Sequence, residues 1–127
     1  MKIILLTALS GAAGALLRWG VTRLTTLLFG TLLPWGTLAV NIIGAFAAGF
    51  LYIFCRARWS AYEEYWPVIF IGFLGAFTTF STFALESARF FCDEKYGKFL
   101  LNILLQYAIG IPAALAGLYL AKVLFKP

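Results

Sequence analysis

Asn41 is the side chain whose chemistry most needs explaining, because its carboxamide lies inside an apolar run that reads as membrane-spanning. A polar group in hydrocarbon persists only if it bonds another helix or a passing species. Its nitrogen can donate two hydrogen bonds to an anion, and the same group can clamp two helices, so both readings stand. Thr37 precedes it by four residues, and Gly44 and Ala48 continue nearby. A second polar group, Thr78, Thr79, Ser81 and Thr82, crowds into the stretch G-F-L-G-A-F-T-T-F-S-T-F from Gly72 to Phe83. Glu86 is the acid clearly within an apolar segment, and Arg18 is a candidate intramembrane cation. The chain has no His, and Glu86 and Ser81 lack a His or Lys partner at plausible spacing, so enzymatic chemistry is not expected. Cys55 and Cys92 are the two cysteines, and they support neither a metal cluster nor a disulfide framework.

These groups need a scaffold, and composition says which. A chain of 127 residues that is 63% hydrophobic and 12% charged is too apolar for a soluble globule of that size, and reads as a single all-α membrane domain over residues 1–127. Four segments are long enough to cross a hydrocarbon core, running roughly from Ile3 to Phe29, Leu33 to Cys55, Trp66 to Phe91 and Phe99 to Phe125. The first has the charged start and small residues of a signal peptide, but its apolar character continues to Phe29, so it reads as a retained helix. The connections are Gly30 to Pro34, Arg56 to Tyr65 and Cys92 to Lys98. Trp19, Trp35, Trp59, Tyr62, Tyr65, Trp66 and Tyr96 stand near segment ends, where amphipathic rings anchor at headgroup level.

The third segment is expected to break near its middle. Hydroxyls bond nearby backbone, β-branched residues crowd the preceding turn and Gly loosens the ladder, and Gly72–Phe83 carries all three. Such a break survives at membrane depth only when protein or a watery path surrounds it. The alternative is a continuous hydroxyl-rich helix packed tightly on a neighbour.

Charge gives the topology. The net charge of +5 is spread along the chain instead of forming a patch for nucleic acid. Four crossings put Lys2, Arg56, Arg58, Lys122 and Lys126 on one side and Arg18, Arg23, Arg89, Lys95 and Lys98 on the other. This balance leaves the positive-inside rule nothing to choose, so the chain is expected to insert both ways up. Four helices scarcely wall a polar path alone, and mixed orientation makes an antiparallel homodimer the simplest closed assembly.

On the first helix Ser10, Gly14 and Arg18 recur every four residues, a small-residue groove leading to one cation. Arg18 reads either as a snorkelling surface residue or as a functional intramembrane charge. Phe80 and Phe83 share a face of the third segment, with Phe73 and Phe77 on a neighbouring stripe. On the fourth, Asn102 and Gln106 share a face, while Tyr107, Gly110, Ala114 and Gly117 form a packing stripe. Pro112 should free a carbonyl near Ala108 and bend that helix.

The run T-T-F-S-T-F, with G-A-L-L-R from Gly14, G-T-L-A-V-N-I-I-G from Gly36 and the later Glu86, resembles the CrcB or Fluc family of small fluoride channels over nearly the whole chain. The resemblance implies an antiparallel homodimer in the cell membrane, the inner or plasma membrane of a bacterium, passing fluoride passively and relieving its toxicity. It implies that Phe80 and Phe83 present ring edges to the anion, that Asn41, Thr37, Ser81 and Thr82 supply donors, and that Arg18 makes the vestibule electropositive. It also implies a structural Na⁺ at the dimer centre, held by the backbone carbonyls of Gly75 and Thr78. Glu86 is expected in a structural or vestibular role. The chain departs from the pattern at Ile111, where relatives often carry a small hydroxyl residue, and Gln106 or Tyr107 is the candidate substitute.

Two other classes compete. A dual-topology exporter of hydrophobic cations shares the size and charge balance, but needs a buried carboxylate, commonly on a first helix that here holds Arg18 and no acid. A non-transporting scaffold leaves Asn41 and the hydroxyl cluster without a purpose. No Walker motif or buried proton-relay acid points to pumping.

Overall fold

The first apolar run forms one helix, α1 (Lys2–Phe29), which stops at Gly30 in the left-handed region, φ +72°. Pro34 precedes α2 (Trp35–Arg58), which extends three residues past the expected end. The computed structural model describes residues 1–125, so Lys126, counted above among the basic residues of one side, lies outside the described residues.

The third crossing begins early, with α3 (Tyr62–Trp66), and continues as a π-helix over Pro67–Leu74 and a short turn, α4 (Gly75–Phe77). At Thr78 and Thr79 the backbone is extended (φ −85°, ψ 163° and φ −155°, ψ 109°), and helix resumes as α5 (Phe80–Cys92). The expected break is therefore present, two residues wide. The last crossing is α6 (Tyr96–Leu124), which stays helical through Pro112. Four helical stretches, Lys2–Phe29, Trp35–Arg58, Tyr62–Cys92 and Tyr96–Leu124, are long and apolar enough to cross a membrane, and the described residues contain no strand. The first connection, Gly30 to Pro34, is as expected, and the other two are shorter: Arg56 and Arg58 belong to α2, leaving Trp59–Ala61 as the turn, and Asp93–Lys95 joins α5 to α6.

Small residues set the helix spacing. A methyl on Gly49 would overlap the Ala114 carbonyl and one on Gly117 the Phe46 carbonyl, so α2 and α6 cross backbone to backbone. Gly14 meets Phe73 and Gly72 meets Ser10 in the same way, laying α1 on the π-helix. There Ser10 Oγ lies 2.7 Å from the Val68 carbonyl and 2.9 Å from its own-helix Thr7 carbonyl. The packing stripe expected on α6 holds at Ala114 and Gly117 but not at Gly110, whose side is open. Between α5 and α6, Asn102 Nδ2 donates to Ser87 Oγ at 3.0 Å. Among the described residues Val40 is the one large side chain that is fully enclosed, and Leu27, Leu85, Leu104 and Tyr119 stand outward, the exterior of a chain solvated by lipid.

One end of the bundle gathers Lys2, whose Nζ donates to Tyr65 Oη at 3.2 Å, and Arg58, which lies over the Phe125 ring. Both termini of the described chain and the α2–α3 turn thus share that end, as the crossing count requires.

Candidate functional site

The break is held open by Asn41. Its Oδ1 accepts from the Thr79 N–H at 2.8 Å and its Nδ2 donates to the Thr79 carbonyl at 3.2 Å, so one carboxamide from α2 serves both backbone polar groups of Thr79. The second Nδ2 hydrogen goes to Gln106 Oε1 on α6, also at 3.2 Å. Both amide hydrogens of Asn41 therefore have partners within the chain. Of the two roles the sequence allowed it, helix clamp and anion donor, the clamp is what the geometry displays.

Thr79 is the residue whose part was not singled out. As the N-cap of α5 its Oγ1 accepts from the Thr82 N–H at 3.2 Å and bonds Thr82 Oγ1 at 2.9 Å, with Ser81 Oγ at 3.3 Å. The signal was a Thr three residues before a residue in the first helical turn, masked by the surrounding hydroxyls. Two carbonyls lose their donors as a result. The Thr79 N–H that a continuous helix would give to Gly75 goes to Asn41, and the Thr82 N–H that it would give to Thr78 goes to Thr79 Oγ1. A methyl on Gly44 would overlap Thr78 Cγ2, so this glycine lets the break sit against α2.

Beside the break lies a half-open cavity of about 450 Å³ whose lining includes Asn41, Thr78, Phe80, Phe83, Gln106 and Tyr107, and no charged residue. Phe83 is buried and meets Phe80 (5.8 Å, 62°) and Tyr107 (6.1 Å, 82°) edge-on, while Phe80 is 71% exposed. Gln106 Nε2 is buried with no partner among the described residues.

The other expected residues are elsewhere. Thr37 donates to Glu86 Oε1 at 2.8 Å in a second cavity of about 440 Å³, lined also by Arg89, Asp93 and Lys95. It is thereby separated from Asn41, one turn along the same helix, and Glu86 Oε2 has no partner among the described residues. Ser81 and Thr82 are exposed on the far side of the Thr79 hydroxyl and line neither cavity. Arg18 is half-buried on α1, lines neither cavity, and makes no hydrogen bond or ion pair among the described residues. One chain thus brings Asn41, Phe80, Phe83, Gly75 and Thr78 together and leaves Thr37, Ser81, Thr82 and Arg18 apart.

Comparison with known proteins gives a family match and close relatives. The family described as CrcB-like protein, Camphor Resistance (CrcB), matches residues 5–118. A protein of Desulforapulum autotrophicum named fluoride-specific ion channel FluC is 38% identical over 117 residues, 92% of this chain and 94% of the relative. Proteins of the same name from Legionella pneumophila (strain Lens) and Vibrio parahaemolyticus are 41% identical over 118 residues and 42% over 113. These alignments cover 93% and 89% of this chain and 88% and 89% of the relatives.

Proposed function

The chain belongs to the CrcB family, and from that membership we propose that it is a passive, fluoride-selective channel whose anion path runs past the broken third crossing. The observation that carries this reading is 38% identity to a named fluoride channel over 92% of the chain. The chain is a multi-pass membrane protein, and its family is one of ion channels, not of enzymes.

The geometry supports a path for a small, strongly hydrated anion. The cavity at the break holds amide groups and ring edges, the positive part of the aromatic quadrupole, and no carboxylate. Phe80 and Phe83 line it with edges available, and Asn41 keeps the polar backbone of the break in place. Thr37, Ser81, Thr82 and Arg18, which one chain leaves outside that cavity, would contribute at the mouths of the proposed route. A path so lined offers fluoride replacement donors at close range, whereas the larger chloride needs more room. Nothing in the sequence couples transport to nucleotide hydrolysis.

The half-open cavity and largely exposed Phe80 are consistent with a second, antiparallel copy completing the walls. A structural Na⁺ at the centre of that pair would be held by the Gly75 and Thr78 carbonyls. Support comes from the displaced Thr79 and Thr82 N–H groups, which free these two oxygens without adding a carboxylate, a donor set suited to a monovalent ion. The ion would brace the break and stay outside the anion path.

The test is efflux from vesicles containing the purified protein, with the potential clamped by a potassium ionophore. Fluoride should leave rapidly, while chloride and a quaternary ammonium dye stay. Absence of fluoride efflux rejects the channel, and dye transport without it favours the exporter. Replacing Na⁺ by a large organic cation should lower flux slowly as bound ion leaves, and indifference to Na⁺ removes the ion site. In detergent the protein should have twice the 14.0 kDa mass of one chain, and a monomer rejects the pairing.

A further inference from the structure

We propose that Gln106, not Asn41, presents the free amide donor to the permeating anion, and that Asn41 acts by orienting it. This rests on the channel reading above and assigns the donor within it.

The orientation of both amides follows from the backbone. The Thr79 N–H can only donate, so the Asn41 oxygen must face it, as the 2.8 Å contact shows. That turns the Asn41 nitrogen toward two acceptors, the Thr79 carbonyl and the Gln106 side chain. Gln106 therefore has to offer its oxygen to Asn41, and its nitrogen is left pointing away with both hydrogens unused. Flipping the Gln106 amide would set N–H against N–H, and flipping Asn41 would do the same against Thr79.

Burying an NH₂ group without a partner is unfavourable, and a native chain keeps one only where something supplies the missing acceptor. Gln106 lines the same cavity as Phe83 and Tyr107, whose edges also favour an anion, and no carboxylate lines that cavity to take the hydrogens. A chain of bonds from the Thr79 N–H through the Asn41 amide to the Gln106 oxygen polarises each amide in turn, which strengthens the terminal donor. The polar group missing at Ile111 thus has a counterpart about one turn earlier on α6.

Variants at Gln106 test this in the same fluoride efflux assay, read as a function of fluoride concentration. Gln106→Met, similar in length but without donor or acceptor, should raise the half-saturating fluoride concentration about tenfold, the scale of one hydrogen bond to a charged group. Gln106→Glu keeps an oxygen for Asn41 and loses the donor, so it should remain dimeric in detergent and lose fluoride flux. Gln106→His presents a ring N–H at comparable reach and should restore the wild-type half-saturation. If Gln106→Met retains wild-type half-saturation, whatever its maximal rate, or Gln106→Glu conducts normally, Gln106 only packs and the proposal fails. A folded Gln106→His variant that leaves the defect of Gln106→Met in place also overturns it. Wild-type vesicles that release no fluoride sink the channel reading itself, a result separable from every variant outcome.

Discussion

At Pro112 the chain lacks a backbone donor, yet α6 runs unbroken from Tyr96 to Leu124; at Thr78 and Thr79 every peptide has its N–H, yet the helix opens. The difference lies in what the neighbours offer. Proline removes one hydrogen bond and leaves the Ala108 carbonyl without its usual partner, and Pro112 faces outward, away from the other described helices of the same chain. Thr79 meets a carboxamide with an acceptor and a donor at the right separation, and its own hydroxyl caps the helix that follows. In lipid a ladder opens where replacement partners are waiting, and a helix-breaking residue alone does not open it.

Asn41→Leu should separate the two sites most sharply. It orphans the Thr79 N–H and carbonyl inside the membrane, each worth about 1–3 kcal/mol, and releases Gln106. Fluoride efflux should fall to the level of empty vesicles and the unfolding midpoint in detergent should drop; retention of both would mean that the break does not depend on α2. Thr79→Ala should act less strongly, since an N-cap contributes about 1 kcal/mol, with Thr79→Ser restoring the midpoint. Equal midpoints for the Ala and Ser variants would show that the hydroxyl network is incidental. Pro112→Ala should do least: it gives Ala108 a donor, so the midpoint should rise slightly or stay, and flux should not change. A collapse of flux in that variant would place Pro112 in the pore and remove the contrast between the two sites.

Much of the scaffold was legible because lipid imposes it. Apolar length marks four crossings, Gly30 and Pro34 mark the first turn, and the β-branched hydroxyl cluster after Gly75 weakens the helix at the place where it breaks. The α2–α3 turn is shorter than its composition suggests because Arg56, Arg58 and Tyr62 look like loop residues but serve as helix ends, the two exposed cations extending from helical backbone and the Tyr62 ring buried against Trp66 and Phe70.

The site was only partly legible, for a reason of distance. Asn41 could be singled out from one sequence because an amide in hydrocarbon demands a partner. Its partners are 38 and 65 residues away, and only the crossing of α2 with the third and fourth segments decides that they are Thr79 and Gln106. Thr37 illustrates the converse: helical spacing puts it beside Asn41, but α5 brings Glu86 within 2.8 Å and assigns it to another cavity. The sequence by itself determined a four-helix membrane chain with a weak point and one amide that had to be satisfied. Which side chains satisfy it, and which donor is left over, depends on where neighbouring helices place their groups, and local pattern carries no information about that.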